Sequence, residues 1–151
     1  MKITVIGASQ GIGLELLNIA LEANNEVTAL VRNPDKLKIT NSKLNIVEGN
    51  ILDMESVNAV TAGQDAICVC IGIPPTRKPL NLFSQGTANV IAAMGQQQNQ
   101  KLIAVTGIGA GDSKGHGGFL YDKVLNPLLL RTSYDDKDCQ KPSSRQAMWI
   151  C

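Results

Sequence analysis

The residues best placed to do chemistry come early: Gly7-Ala8-Ser9-Gln10-Gly11-Ile12-Gly13 follows an apolar run directly and opens a segment of helical period. Glycine allows a tight turn and close approach of backbone to ligand, and the free N–H groups of a starting helix attract a pyrophosphate. The flanking strand and helix turn an otherwise weak glycine triplet into an expected dinucleotide site, against the alternative of an unoccupied structural turn. Gly7, Ser9, Gln10, Gly11, Ile12 and Gly13 are its candidate contacts. At the end of the second apolar run stands Arg32. An acidic residue there would accept a hydrogen bond from a ribose hydroxyl, whereas a cation pairs with an additional phosphate. Ser9 can donate to the same phosphate, and Lys36 adds diffuse attraction. The expected cofactor is therefore NADP(H) in preference to NAD(H), the alternative being that Arg32 is a solvated surface cation.

The elements that must position these residues alternate β-branched runs with helical periodicity, the pattern of a parallel sheet covered by crossover helices. Five strands are expected, over residues 2–6, 26–31, 45–47, 66–71 and 102–105. Between the first two, Ile12, Leu16, Ala20 and Ala23 recur at helical spacing beside Leu17 and Leu21, which predicts a helix with a broad apolar stripe on the sheet. Asp53 can cap a shorter helix over residues 54–60, with Gly63 at its exit. Another helix is predicted over residues 82–94, where Gly86 would permit close packing. Residues 107–118 hold six glycines with Asp112, Ser113, Lys114 and His116, a loop beyond the carboxyl end of the fifth strand, where ligands bind in such sheets. The expected fold is α/β, a Rossmann-type doubly wound parallel sheet of five strands in the order 3-2-1-4-5, with the cofactor across the reversal between strands one and four.

At 151 residues and 44% hydrophobic content, one domain spanning 1–151 is expected. Fourteen basic residues against 13 acidic ones give no electrostatic footprint for nucleic acid or an acidic membrane, and neither partner is expected. The opening apolar run is too short for a signal peptide or a membrane span, which predicts a cytoplasmic protein. Cys68, Cys70, Cys139 and Cys151 lack CxxC or paired Cys/His spacing, so neither a metal site nor a disulfide framework is indicated. Cys68 and Cys70 share one face of a strand and read as small buried apolar side chains rather than redox groups.

Taken together, Gly7 to Gly13, Val31-Arg32-Asn33, Gly49-Asn50-Ile51-Leu52-Asp53, Gly63-Gln64-Asp65-Ala66, Gly86-Thr87-Ala88-Asn89-Val90 and Val105-Thr106 resemble the atypical short-chain dehydrogenase/reductases. The resemblance is to the NAD(P)-binding group that includes NmrA-like proteins and the biliverdin/flavin reductases. It implies that Asn50 and Ile51 lie beside the adenine, and Cys70, Ile71 and Gly72 beside the ribose. The usual Gly-Asp of the family reads Gly49-Asn50 here. Standard short-chain reductases use a serine after the fifth strand and a Tyr-x-x-x-Lys pair, in which lysine lowers the tyrosine pKa. Here the serine position is Gly107 beside Thr106, Tyr121 is followed by Leu125, Tyr134 by Asp138, and Lys137 falls three residues after Tyr134. Thr106, Tyr121 and Lys137 are the catalytic candidates, with Tyr134 a further one, the alternative being an exposed helix; His116 reads as a solvated loop residue.

The resemblance implies an NADPH-dependent oxidoreductase that transfers hydride to a small aromatic or conjugated acceptor of flavin, quinone or enone type. A non-catalytic NADP(H)-sensing regulator, or an inactive truncated reductase, are the alternatives, favoured by the broken Ser and Tyr-x-x-x-Lys pattern. The likeness ends after about Gln140, and residues 141–151 form an atypical tail in which Pro142 interrupts a helix that begins near Tyr134. With permissible codons, a one-base shift of that tail gives Glu-Ala-Ile-Ile-Lys-Ala-Ser-Asn-Val-Asp-Leu, the family's ordinary helix and turn. The expectation is a frameshifted, prematurely ended relative, against a natural short polar tail. Such an ending would expose apolar surface and favour homo-oligomers and an incomplete substrate pocket.

Overall fold

The computed structural model describes residues 1–73, 81–95 and 99–105, together with the backbone of residues 147–150. Strands β1 (Lys2–Ile6), β2 (Glu26–Val31), β3 (Leu44–Glu48), β4 (Ala66–Val69), β5 (Lys101–Val105) and β6 (Ala147–Ile150) join helices α1 (Gly11–Glu22), α2 (Met54–Thr61) and α3 (Leu82–Met94). Every strand pairing is parallel, and the sheet order is β3-β2-β1-β4-β5-β6. The five expected strands thus take the order 3-2-1-4-5 in a Rossmann-like α/β fold. The sheet continues one strand further, because Ala147-Met148-Trp149-Ile150 pairs with β5 from Leu102↔Ala147 to Val105↔Ile150. This short unbroken apolar run has the pattern of a sheet strand, although it falls in the tail that the sequence set apart from the sheet.

Strands buried on both faces read as continuous apolar runs, and β4 is buried along its whole length. Alternate residues of the strands divide the core into two layers. On one side Val5, Val27, Ala29 and Val31 pack with Leu17 and Ala20 of α1. On the other, Ile6, Leu30, Ile67, Val69, Leu102 and Ala104 pack with Val57 and Val60 of α2 and Val90, Ala93 and Met94 of α3. Two polar side chains tie α2 and the turn after it to the sheet on this second side. The buried Thr4 hydroxyl donates to the Val60 carbonyl at 2.5 Å, and Gln100 Nε2 donates to the carbonyls of Thr61 and Gln64 at 2.6 and 3.0 Å.

Leu16, Leu17, Ala20 and Leu21 of the expected α1 stripe pack against the sheet, and the stripe falls short only at its two ends. Gly13, Leu17 and Ala20 are its buried residues, while Ile12 is 63% exposed and Ala23 is exposed. Ile12 lies in the first turn and lines the cavity at the carboxyl ends of the strands. Helix α2 begins where Asp53 caps it, its carboxylate accepting from Ser56 N–H at 3.0 Å, Glu55 N–H at 3.3 Å and the Ser56 hydroxyl at 2.6 Å. The Ser56 hydrogen bonds hold this carboxyl below the usual range. Strand β4 ends at Val69, two residues before the expected end. Its neighbour β1 turns away at Gly7, so the last bond of the ladder runs from Cys70 N–H to the Ile6 carbonyl at 2.8 Å.

Candidate functional site

At the carboxyl ends of β1, β2, β3, β4 and β5 the sheet opens into a cavity of about 350 Å³, a volume on the scale of small-ligand sites. The reversal of strand order falls inside it, because β1 pairs with β2 on one side and β4 on the other. Gly7, Ser9, Gln10, Gly11 and Ile12 form its centre, Arg32, Asn50 and Ile51 one flank, and Cys70, Ile71 and Gly72 the other.

The glycine loop is shaped by contacts that a larger residue would destroy. Gly7 has φ +89°, and a Cβ there would stand 2.7 Å from the Cys70 carbonyl oxygen. Gly13 sits under the loop, where a Cβ would overlap the Gly7 carbonyl. Helix α1 can therefore start hard against β1, and Gly11 and Ile12 of its first turn line the cavity. No side chain caps that start, and its first turn carries no acidic residue. The open donors and the positive end of the helix dipole fit an anion such as a pyrophosphate.

The Arg32 flank is equally ordered. Arg32 is exposed and follows β2 directly, so its guanidinium is available to a phosphate. The chain after β3 is held by Gly49 N–H to the Val31 carbonyl (2.9 Å), Asp53 N–H to the Asn50 carbonyl (2.9 Å) and Asn89 Nδ2 to the Ile51 carbonyl (3.0 Å). Ile51 is buried and fills the space that a side chain on Gly86 of α3 would need, 2.9 Å from Ile51 Cγ2. The expected close packing at Gly86 thus supports the floor of the cavity.

On the other flank the two cysteines part company. Cys68 is buried within β4, and burial, with a smaller effect of Cys70, pushes its thiol up to about 11. Cys70 is half-buried and lines the cavity, and burial raises its thiol as well. Both groups are held as thiols at neutral pH, in keeping with packing rather than nucleophilic chemistry.

All the expected cofactor contacts except Gly13 line one cavity, and Gly13 acts through the turn above it. Sequence reasoning did not single out Ile6, Leu30, Val31, Gly49, Leu82 and Val105, which also line it. Strand-terminal position was the available signal for Ile6, Val31 and Val105; Leu82 is brought in only by where α3 begins. Thr106, Tyr121, Lys137, Tyr134 and His116 lie outside the described residues. Among the described residues, no helix is long and apolar enough to cross a membrane, and no group of three His, Cys, Asp or Glu side chains could hold a metal.

The fold is shared with solved structures of low identity. A putative epimerase from Bacteroides thetaiotaomicron is 24% identical with a TM-score of 0.72, over 98% of this chain and 68% of that one. An anaerobillin reductase from Escherichia coli O157:H7 is 19% identical with a TM-score of 0.74, over 99% and 70%. An oxidoreductase from Lactococcus lactis is 18% identical with a TM-score of 0.73, over 93% and 61%. The chain thus spans roughly two thirds of the length of these proteins. The model of the NAD(P)H-binding family matches residues 7–147, from the glycine loop to the start of β6. With the loop, the uncapped helix and the strand-order reversal in one cavity, the chain belongs to the NAD(P)H-binding family.

Proposed function

We propose that this chain binds NADP(H) in preference to NAD(H) and serves an oxidoreductase that reduces a small aromatic or conjugated acceptor. The observation that carries the cofactor preference is that Arg32 and Ser9 line the same cavity, and that among the described residues none that line it is acidic. A second-strand carboxylate would favour the unphosphorylated ribose, whereas a guanidinium and a hydroxyl complement a phosphate. Gly7, Gly11 and Ile12 contribute the backbone that receives the pyrophosphate, Asn50 and Ile51 flank the adenine, and Cys70, Ile71 and Gly72 wall the ribose. When bound, NADPH supplies the hydride. The chain's own task is to hold the dinucleotide and exclude water, with Ile12, Ile71, Leu82 and Val105 giving an apolar side to which a flat conjugated molecule can pack. Thr106, Tyr121 and Lys137 remain the proposed acid/base candidates, within a single domain over 1–151.

The test is NADPH oxidation by the purified protein against flavin, quinone and enone acceptors. Turnover with at least one conjugated acceptor is expected. Saturable NADPH binding with no turnover across the three classes would overturn the reductase reading and assign the chain to cofactor sensing.

A further inference from the structure

Helix α1 has more apolar surface than the sheet beneath it covers. Leu17 and Ala20 pack on β1 and β2, and Leu14 and Leu21 lie toward β3, where Leu37, Ile39 and Ile46 complete that core. On the opposite side of the helix, Ile12 and Ile19 stand seven residues apart, a spacing that returns them to nearly the same direction, with half-buried Leu16 between them. They are 63% and 60% exposed, and of the large apolar side chains described only Met1 is more so. Because α1 runs back over β1 and β2 in a right-handed crossover, this side of it is turned toward β4.

Among the described residues, no helix covers the sheet there. Val5 is in register with Cys68 and Cys68 with Ile103, so the three share the α1 face, whereas α2 and α3 pack on the other. Ile103 is half-buried and joins neither core cluster of the described residues. Neighbouring strands lie about 4.8 Å apart and packed helices about 8–10 Å, so a helix laid beside α1 would sit two strands along, over β4 and β5. Ile12, Leu16 and Ile19 would form its wall and Ile103 its floor.

The outer rim of that wall is acidic. Glu15 and Glu22, also seven apart and both exposed, are the only charged residues of α1, and Lys101 borders the floor only at the amino end of β5. A two-fold pairing of this wall with that of a second copy would bring the carboxylates of both chains to one seam, which like charges oppose. A helix carrying lysine or arginine along the same seam pairs with them instead. We propose that this shelf docks an amphipathic helix of a partner protein, apolar toward Ile19 and Ile103 and basic toward Glu15 and Glu22. The docking does not depend on which dinucleotide the cavity holds.

The test is fluorescence anisotropy with two labelled synthetic peptides of about four helical turns. Both carry one leucine stripe, flanked by lysine in one and by glutamate in the other. The wild type is expected to bind the lysine peptide saturably, one per chain, and at least about tenfold more tightly than the glutamate peptide, as charge complementarity requires. Ile19→Ser and the double variant Glu15→Lys/Glu22→Lys should each weaken the lysine peptide about tenfold. Their unfolding midpoints should stay at the wild-type value, because all three side chains are exposed. Ile12 also lines the dinucleotide cavity and is left unaltered. Absence of saturable binding, equal affinity for the two peptides, or variants that bind as the wild type does overturns the proposal. Self-association of the wild type that Ile19→Ser abolishes in analytical ultracentrifugation gives the shelf to a second copy and overturns it as well.

Discussion

Cys68 and Cys70 stand two residues apart at the end of β4, yet the fold gives them different surroundings. Cys68 is buried and its thiol is pushed up to about 11, while Cys70 lines the cavity with a thiol raised by partial burial. Thiolate is the reactive form, so raising a folded-state pKa lowers the reactive fraction at any pH below it. Iodoacetamide at pH 8 should therefore leave Cys68 unlabelled in the folded protein and label it on unfolding, with Cys70 labelled slowly and more slowly still when NADPH is present. Peptide mass spectrometry reads both. Rapid labelling of Cys68 in the folded protein would contradict its placement in the core, and an NADPH-independent rate at Cys70 would contradict its place beside the ligand. At this scale much was legible beforehand. Arg32 and the glycine loop carry recognisable chemistry in their residue types, and both fall in the cavity. Gly13 was legible as part of the motif, but not as a residue acting from beneath it, because its contact with Gly7 is a distance across a turn rather than a spacing in the chain.

Helix α3 meets the site through Leu82, which lines the cavity, through Asn89, which donates to the Ile51 carbonyl, and through Gly86 packed on Ile51, where the expected alignment already hinted at a close approach. A methyl group at Gly86 would stand 2.9 Å from Ile51 Cγ2, in a core that packs too densely to absorb it freely. Gly86→Ala should destabilise the fold by about 1–3 kcal/mol, the usual range for overpacking. It should also weaken NADPH binding, because the displaced Ile51 carries Asn50 with it. Denaturant unfolding and cofactor titration check the two effects; unchanged stability would contradict the packing, and unchanged affinity would break the link between α3 and the cavity. Strands β1 and β2 match their expected bounds, because each is an apolar, β-branched run that stops at a change of residue type, to Gly7 and to Arg32. The end of β4 was not legible, since Cys70 and Ile71 have strand-like side chains and leave the sheet only because β1 stops at Gly7. The outward position of Ile12 was hidden for a similar reason. Periodicity places it on an apolar stripe, but in the fold it lines the open cavity at the helix start.

For the molecule as a whole, alternation of strands and helices was enough to give the order of the first five strands, because parallel pairing with short crossovers leaves few arrangements. The sixth strand was missed. Four apolar residues at 147–150 give too short a run to identify a strand by periodicity, and pairing with β5 is a long-range contact. The proposed selection of the phosphorylated dinucleotide through Arg32 belongs to the cavity formed by these ends of the sheet. Calorimetric titration of wild type and Arg32→Glu with NADPH and NADH tests this most directly. Wild type is expected to bind NADPH at least about tenfold more tightly than NADH, as a charge-assisted phosphate contact worth about 1.5–3 kcal/mol requires. Arg32→Glu is expected to lose most of its NADPH affinity while NADH binding is little changed. Equal losses for both cofactors, or no preference in the wild type, would contradict it.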